Sequence, residues 1–147
     1  MAKHTERQNR EEAVKQYYRK HPFCDLGRCY YCGDYISSKS RGDHVPPVSW
    51  AFALGYTHLV EKENAPFLIV PCCLDCNCAL GNKKYFTLKQ RKGYIASWLR
   101  ERYSKLRKSP IWKHEELEEL EGNLAESVKA NQDFRLFIER RISWAES

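Results

Sequence analysis

The sequence predicts an α+β fold that is mostly helical, with a small metal-stapled core between N-terminal and long C-terminal helices. Two C-x2-C cysteine pairs lie 40 residues apart. Between and around them, residues 23–71 are rich in Cys, Gly, Pro and aromatic residues and lack a 3.6-residue period, which is typical of short strands and loops. From residue 87 onward, apolar residues recur at three- and four-residue steps, which indicates helices.

Three segments follow from this change of pattern. Residues 1–22 form an N-terminal helical extension, with a helix predicted over 4–19 and ended by Pro22. Residues 23–86 form the core. Within it, 42–45 and 67–70 are predicted strands, and 49–54 are predicted to be one or two helical turns that Gly55 ends.

Helices return after the second cysteine pair and fill the C-terminal region, residues 87–147. Residues 74–80 are a predicted short helix with Gly81 as its left-handed cap. A capping box at Thr87 and Gln90 opens a helix to about residue 108. Ser109 and Pro110 open a last long helix to about residue 144. Its apolar positions are Leu117, Leu120, Leu124, Val128, Phe134, Phe137, Ile138 and Ile142.

The cysteine content indicates a metal centre. The first ten residues lack the apolar segment of a secretory signal, and no stretch approaches the roughly 20 apolar residues of a membrane span. We therefore expect a cytoplasmic protein without a membrane partner, where seven cysteines favour metal binding over disulfides. Two C-x2-C pairs complete the four-sulfur shell of structural Zn²⁺. The expected ligands are Cys29, Cys32, Cys73 and Cys76, with Cys72 as an alternative to Cys73 and reduced core cysteines as the alternative to a metal.

Charge is distributed unevenly along the chain. Residues 1–110 carry 20 Lys and Arg against 10 Asp and Glu, whereas residues 111–147 carry 5 against 9. A basic body with an acidic end fits a polyanionic partner such as DNA, although a merely well-solvated surface explains the charge equally well. Basic residues near the predicted site could contact phosphates, although a solvated charged face explains each of them equally well. They are Lys39, Arg41, Lys83 and Lys84, followed by Lys89, Arg91 and Lys92.

Three further residues are candidates for a catalytic metal site. Asp43 and His44 lie between the cysteine pairs, and Asn77 directly follows the last predicted zinc ligand. A carboxylate and an amide oxygen suit Mg²⁺ or Mn²⁺ with open coordination positions. In an ideal strand the side chains of Asp43 and His44 point to opposite faces, so a shared site requires a twist, a bulge or a metal at the strand end.

The pattern C-x2-C, Asp-His, C-x2-C-Asn resembles the HNH, or ββα-metal, endonuclease family over about residues 29–85. It is most similar to the zinc-bearing branch that includes phage endonuclease VII-like nucleases. The resemblance implies a ββα-metal core and metal-dependent hydrolysis of DNA phosphodiester bonds. It also implies that His44 is the general base and that Asp43 and Asn77 hold the catalytic ion. The family often has a further Asn that steadies the His, and here only Asn64 is nearby.

A different class of function also fits the cysteine pattern. A non-catalytic zinc-ribbon module that binds nucleic acid or protein needs the four cysteines, but not Asp43, His44 and Asn77 together. The apolar stripe of the last helix is open to two interpretations as well. It either packs on the chain's own helices or forms a homodimer, since nucleases that cut two-fold substrates are often dimeric.

Overall fold

The computed structural model describes residues 2–36 and 42–147, apart from the side chains of residues 2–7, 24 and 25. It confirms the predicted class: a mostly helical α+β chain with a small sheet, a buried four-cysteine cluster and a long C-terminal helix. Within these described ranges, no helix is both long and apolar enough to span a bilayer.

A three-stranded mixed sheet lies beside the cysteine cluster. Its strands are β1 (Arg19–Lys20), β2 (Asp43–Val45) and β3 (Leu68–Val70), in the order β1-β3-β2. The predicted pair β2 and β3 is antiparallel, with Asp43 opposite Val70, whereas β1 runs parallel to β3. Strand β1 was not predicted, because two exposed charged residues carry no strand pattern. Along β2, Asp43 and Val45 are buried and His44 is half-buried, as the alternation of strand side chains requires.

Three helices lie in the N-terminal half of the chain, one before β1 and two between β2 and β3. Helix α1 (Ala2–Lys15) ends earlier than predicted. The turn predicted before Gly55 is α2 (Val48–Leu54), but a second helix, α3 (Tyr56–Glu63), begins directly after that glycine. Gly55 has a φ of 84°, a left-handed conformation in which a glycine is favoured, and it ends one helix and starts the next. The sequence prediction missed α3, whose only buried residue is Leu59.

The first two helices after β3 begin where the sequence predicts, whereas the later helical segments are divided differently. Helix α4 (Leu74–Leu80) has the predicted bounds. The capping box that opens α5 (Leu88–Arg102) is confirmed, and α6 (Ser104–Arg107) follows after a break. The prediction of one last helix that begins at Ser109 and Pro110 was wrong, since the chain forms α7 (His114–Glu118) and α8 (Gly122–Glu146). Residues 119–121 separate the two helices, directly before Gly122 with its φ of 59°.

One hydrophobic core joins α5 and α8 to the cysteine cluster. Ile95 and Leu99 of α5 meet Ile138, Ile142 and Ala145 of α8, and all five are buried. The last two positions of the predicted apolar stripe, Ile138 and Ile142, therefore pack on the chain's own helix. Leu124, Phe134 and Leu136, in contrast, keep about half of their side-chain surface exposed.

Candidate metal centre

Four buried sulfurs from two distant segments converge in one cluster. The Sγ atoms of Cys29, Cys32, Cys73 and Cys76 all lie within 4.8 Å of one another. The Cys32 and Cys73 sulfurs are 3.7 Å apart. Tetrahedral zinc with Zn–S bonds of about 2.3 Å separates its sulfurs by roughly 3.8 Å. The number, chemistry and spacing of the sulfurs therefore fit one structural Zn²⁺.

Local backbone geometry forms both cysteine pairs. In the first, the Cys29 N–H donates to the Asp34 carbonyl (2.7 Å) and the Gly33 N–H donates to the Cys29 carbonyl (2.9 Å). In the second, Cys73 is the N-cap of α4 and its sulfur accepts the Cys76 N–H at 3.4 Å. Each pair is thus a tight turn that directs two sulfurs to one point, as the C-x2-C spacing predicts.

The choice between Cys72 and Cys73 is settled by position, since Cys73 belongs to the cluster and Cys72 does not. The buried Cys72 thiol donates to the Cys73 carbonyl at 3.4 Å. Hydrogen bonds with Cys32 and Cys72 lower the pKa of Cys29 to about 3. The contact with Cys29, together with burial, raises the pKa of Cys72 well above its ordinary range. Cys72 is therefore a neutral thiol beside the ligands.

Asp43 is engaged in a complete buried ion pair with Arg91. Its Oδ1 and Oδ2 accept from Nη2 and Nε of Arg91, both at 2.9 Å. The Tyr31 hydroxyl donates to Oδ2 at 2.5 Å. Arg91 is fully buried, and its remaining Nη1 donates to the Tyr85 carbonyl at 3.1 Å. Burial opposes the charge of Arg91, but Asp43 and Tyr31 more than offset this effect and raise its pKa.

The structure shows no ion site at Asp43, where Arg91 donates to both carboxylate oxygens and Tyr31 also donates to Oδ2, so the divalent ion that the sequence suggested there stays a prediction. Sequence reasoning placed Arg91 among the possible phosphate contacts, which its complete burial contradicts, and missed its role as the partner of Asp43. A signal for it existed: Leu88, Arg91 and Ile95 lie on one face of α5, so a charged side chain occupies an apolar stripe. A buried charge must have a partner, and Asp43 is a carboxylate in a strand beside this helix.

His44 lies on the other face of β2, against the N-terminal segment. Its ring is 4.9 Å from that of Tyr18, edge to face. Burial is the main cause that lowers the pKa of His44 below its ordinary 6.5, and Lys15 adds to it while Asp43 and Glu11 oppose it. At neutral pH this imidazole is therefore uncharged. Asn64, the asparagine that the sequence offers as a support for the histidine, is exposed at the C-terminal end of α3, where its backbone is left-handed.

Asn77 and the basic residues occupy the surface. Asn77 is exposed on α4 and borders a groove of about 880 Å³, whose lining includes the aromatic residues Tyr35, Tyr103, Phe134 and Phe137. Lys84 has its Nζ 4.9 Å from the Trp50 ring centre, and Lys83 is 5.3 Å from that of Tyr94. Lys39 and Arg41 lie outside the described residues. The three predicted catalytic side chains thus lie in three different surroundings.

Among the side chains that the structure describes, no further group of three or more His, Cys, Asp or Glu ligand atoms converges. The four-sulfur cluster is therefore the metal centre that this part of the chain supports. Comparison of the chain with protein-family models, with curated proteins and with solved structures gives no match.

Removal of zinc is expected to loosen residues 24–80. Structural zinc contributes on the order of 10 kcal/mol to the folding of small domains, and two strands of three residues each supply little packing of their own. Hydrogen exchange measured by mass spectrometry should show lost protection there after chelation or in Cys32→Ser. The exposed Cys78→Ser is the matched control. Unchanged protection of this region in the metal-free protein would contradict the prediction.

Loss of Arg91 is expected to destabilise the fold strongly. Arg91→Met leaves the Asp43 carboxylate buried without its cation, which costs about 3–5 kcal/mol in comparable pairs. Urea unfolding of the zinc-loaded protein measures this loss. Arg100→Met, on the same helix, removes a half-exposed pair with Glu146 and should cost no more than about 1 kcal/mol. Equal stabilities of the two variants would show that the buried pair has no special role.

Proposed function

We propose that this chain is a metal-dependent endonuclease of the HNH type, which hydrolyses DNA phosphodiester bonds with His44 as its general base. The observation that supports the proposal is the order of β2, β3 and α4. An antiparallel strand pair is followed by a helix whose N-terminus carries two of the four sulfurs. His44 lies in the first strand and Asn77 in the helix, as the HNH resemblance implies.

The chemical state of His44 suits this role. A neutral imidazole can accept a proton, whereas a charged one cannot. In the proposed reaction His44 takes the proton from a water molecule whose oxygen attacks phosphorus, and the bond to the leaving oxygen breaks. General-base assistance of this kind contributes about 10²–10⁴-fold to a rate.

The resemblance to HNH nucleases implies a bound divalent ion. Mg²⁺ or Mn²⁺ supplies positive charge that stabilises the negative charge on the phosphate. In the described arrangement Arg91 holds both oxygens of Asp43. The proposed reaction therefore has no step that depends on Asp43 or Asn77. An ion bound at Asp43 would share the carboxylate with Arg91.

DNA as the substrate is supported by two lysines that follow α4 and by the aromatic rings that they contact. Lys83 and Lys84 lie over the rings of Tyr94 and Trp50. The Trp50 indole N–H donates to the Asn82 carbonyl at 2.7 Å, which holds this loop against α2. Ammonium groups bind phosphates and aromatic rings stack on bases, so such pairs suit a nucleic-acid strand.

A non-catalytic zinc-bearing module is the second candidate. The complete pairing of Asp43 with Arg91 and Tyr31 favours it, because a carboxylate that anchors a helix needs no catalytic role. Such a module would bind DNA through the same lysines without cleaving it. Cleavage, rather than binding, therefore separates the two candidates.

His44→Ala is expected to abolish DNA cleavage. The zinc-loaded protein is incubated with supercoiled plasmid and Mg²⁺, Mn²⁺ or EDTA, and nicking is quantified on gels. Wild type should nick with a divalent ion and not with EDTA, and His44→Ala should be at least about 100-fold slower. His58→Ala, an exposed histidine on α3, is the control and should keep full activity. DNA binding without nicking in any metal would favour the module instead.

The same histidine sets the pH dependence of the reaction. Burial lowers the pKa of His44 below its ordinary 6.5, so the neutral imidazole persists to lower pH than in an exposed histidine. The cleavage rate should thus decline with falling pH along an acid limb that is centred below pH 6.5. An acid limb centred at or above pH 6.5, or cleavage that persists in His44→Ala, would reject His44 as the base.

A further inference from the structure

Helix α8 places a buried cation against the four-sulfur cluster. Arg141 is only 4% exposed, and its Nη2 lies 3.8 Å from the Cys76 sulfur. Nη1 donates to Asp75 Oδ2 at 3.3 Å. The Nε atom is also buried and has no hydrogen-bond partner among the described residues. A guanidinium is rarely buried with a donor unused, so its position requires a physical reason.

The charge of the neighbouring sulfurs gives that reason. Four thiolates around one Zn²⁺ carry a net charge of −2, and an isolated buried charge is costly. Cys29, Cys32 and Cys76 are at most 2% exposed, so water reaches these sulfurs little. Arg141 offers a permanent positive charge and N–H donors at this surface. It therefore offsets half of the charge where solvent cannot.

The rest of α8 holds Arg141 in this place. Trp144 follows Arg141 by three residues and thus lies on the same side of the helix. Its indole N–H donates to the carbonyl of Tyr30, between the first two zinc ligands, at 2.9 Å. The ring also covers Gly33, where an added Cβ would collide with it. The helix is thereby fixed to the first cysteine pair while Arg141 reaches the second.

We propose that Arg141 is the counter-charge of the zinc centre, a positioning residue that raises zinc affinity and lowers the electron density on the sulfurs. The proposal rests on zinc occupancy of the four cysteines and is independent of DNA cleavage. The rival role is a plain ion pair with Asp75. That carboxylate is 47% exposed, however, and a pair open to solvent contributes little. It does not explain why the guanidinium is buried.

Zinc affinity of the full-length protein, measured by competition with a chromophoric chelator, tests the proposal. Arg141→Met should bind zinc about 10–100-fold more weakly, as is typical when a group that contacts metal ligands is lost. Arg141→Lys keeps the charge and should stay within a few-fold of wild type. Asp75→Asn removes the rival partner and should bind at least as tightly as wild type. Arg140→Met, the exposed neighbour, should have no effect.

Cobalt spectra give a readout that a merely structural role would not change. With Co²⁺ in place of zinc, Arg141→Met should shift the sulfur-to-metal charge-transfer band to longer wavelength, because thiolates without a nearby cation are richer in electrons. If Arg141→Met does not fold, Arg141→Lys decides by its affinity. Unchanged affinity and band in Arg141→Met, a tenfold loss in Arg141→Lys, or an equal loss in Asp75→Asn would overturn the proposal. A wild type that binds no zinc would overturn it too, whereas absent plasmid nicking would count only against the nuclease.

Discussion

The convergence of four buried sulfurs is the constraint on which the rest of the structure depends. Two chain segments that are 40 residues apart meet at these sulfurs, and the meeting fixes the start of α4 and the turn between Cys29 and Cys32. The surrounding strands are too short to hold together on their own. Helices α5 and α8 then pack onto the same cluster through Ile95, Leu99, Ile138 and Ile142, so the metal centre and the hydrophobic core are one continuous unit.

The two faces of strand β2 have different roles. On the core side, Asp43 accepts hydrogen bonds from Nε and Nη2 of the fully buried Arg91 and ties the strand to α5. On the other side, His44 lies against Tyr18 with a lowered pKa. Because adjacent strand residues point apart, the acid that anchors the fold and the base proposed for cleavage do not compete for one space. The buried pair adds rigidity close to the sulfurs, since Tyr31, which donates to Asp43, lies between two of the ligands.

Features set by neighbours in sequence could be predicted, and features set by distant partners could not. The ligand set follows from the C-x2-C spacing, and the bounds of α4 and the capping box at Thr87 follow from local hydrogen bonding. The partner of Asp43 lies 48 residues away, so the residues around Asp43 do not identify it as Arg91. The same holds for β1, whose pairing with β3 depends on the whole sheet. Arg91 and Arg141 share one pattern: each is a charge on the buried face of a helix, and each lies against a group of opposite charge.

Zinc K-edge X-ray absorption of the purified protein tests the central claim most directly, since it counts the ligands and identifies their element. One zinc per chain with four sulfurs at about 2.3 Å is the expected result. A shell with nitrogen or oxygen in place of a sulfur would mean that the four cysteines do not act together. Protein that neither retains nor binds zinc would contradict the metal-centred organisation of the whole fold.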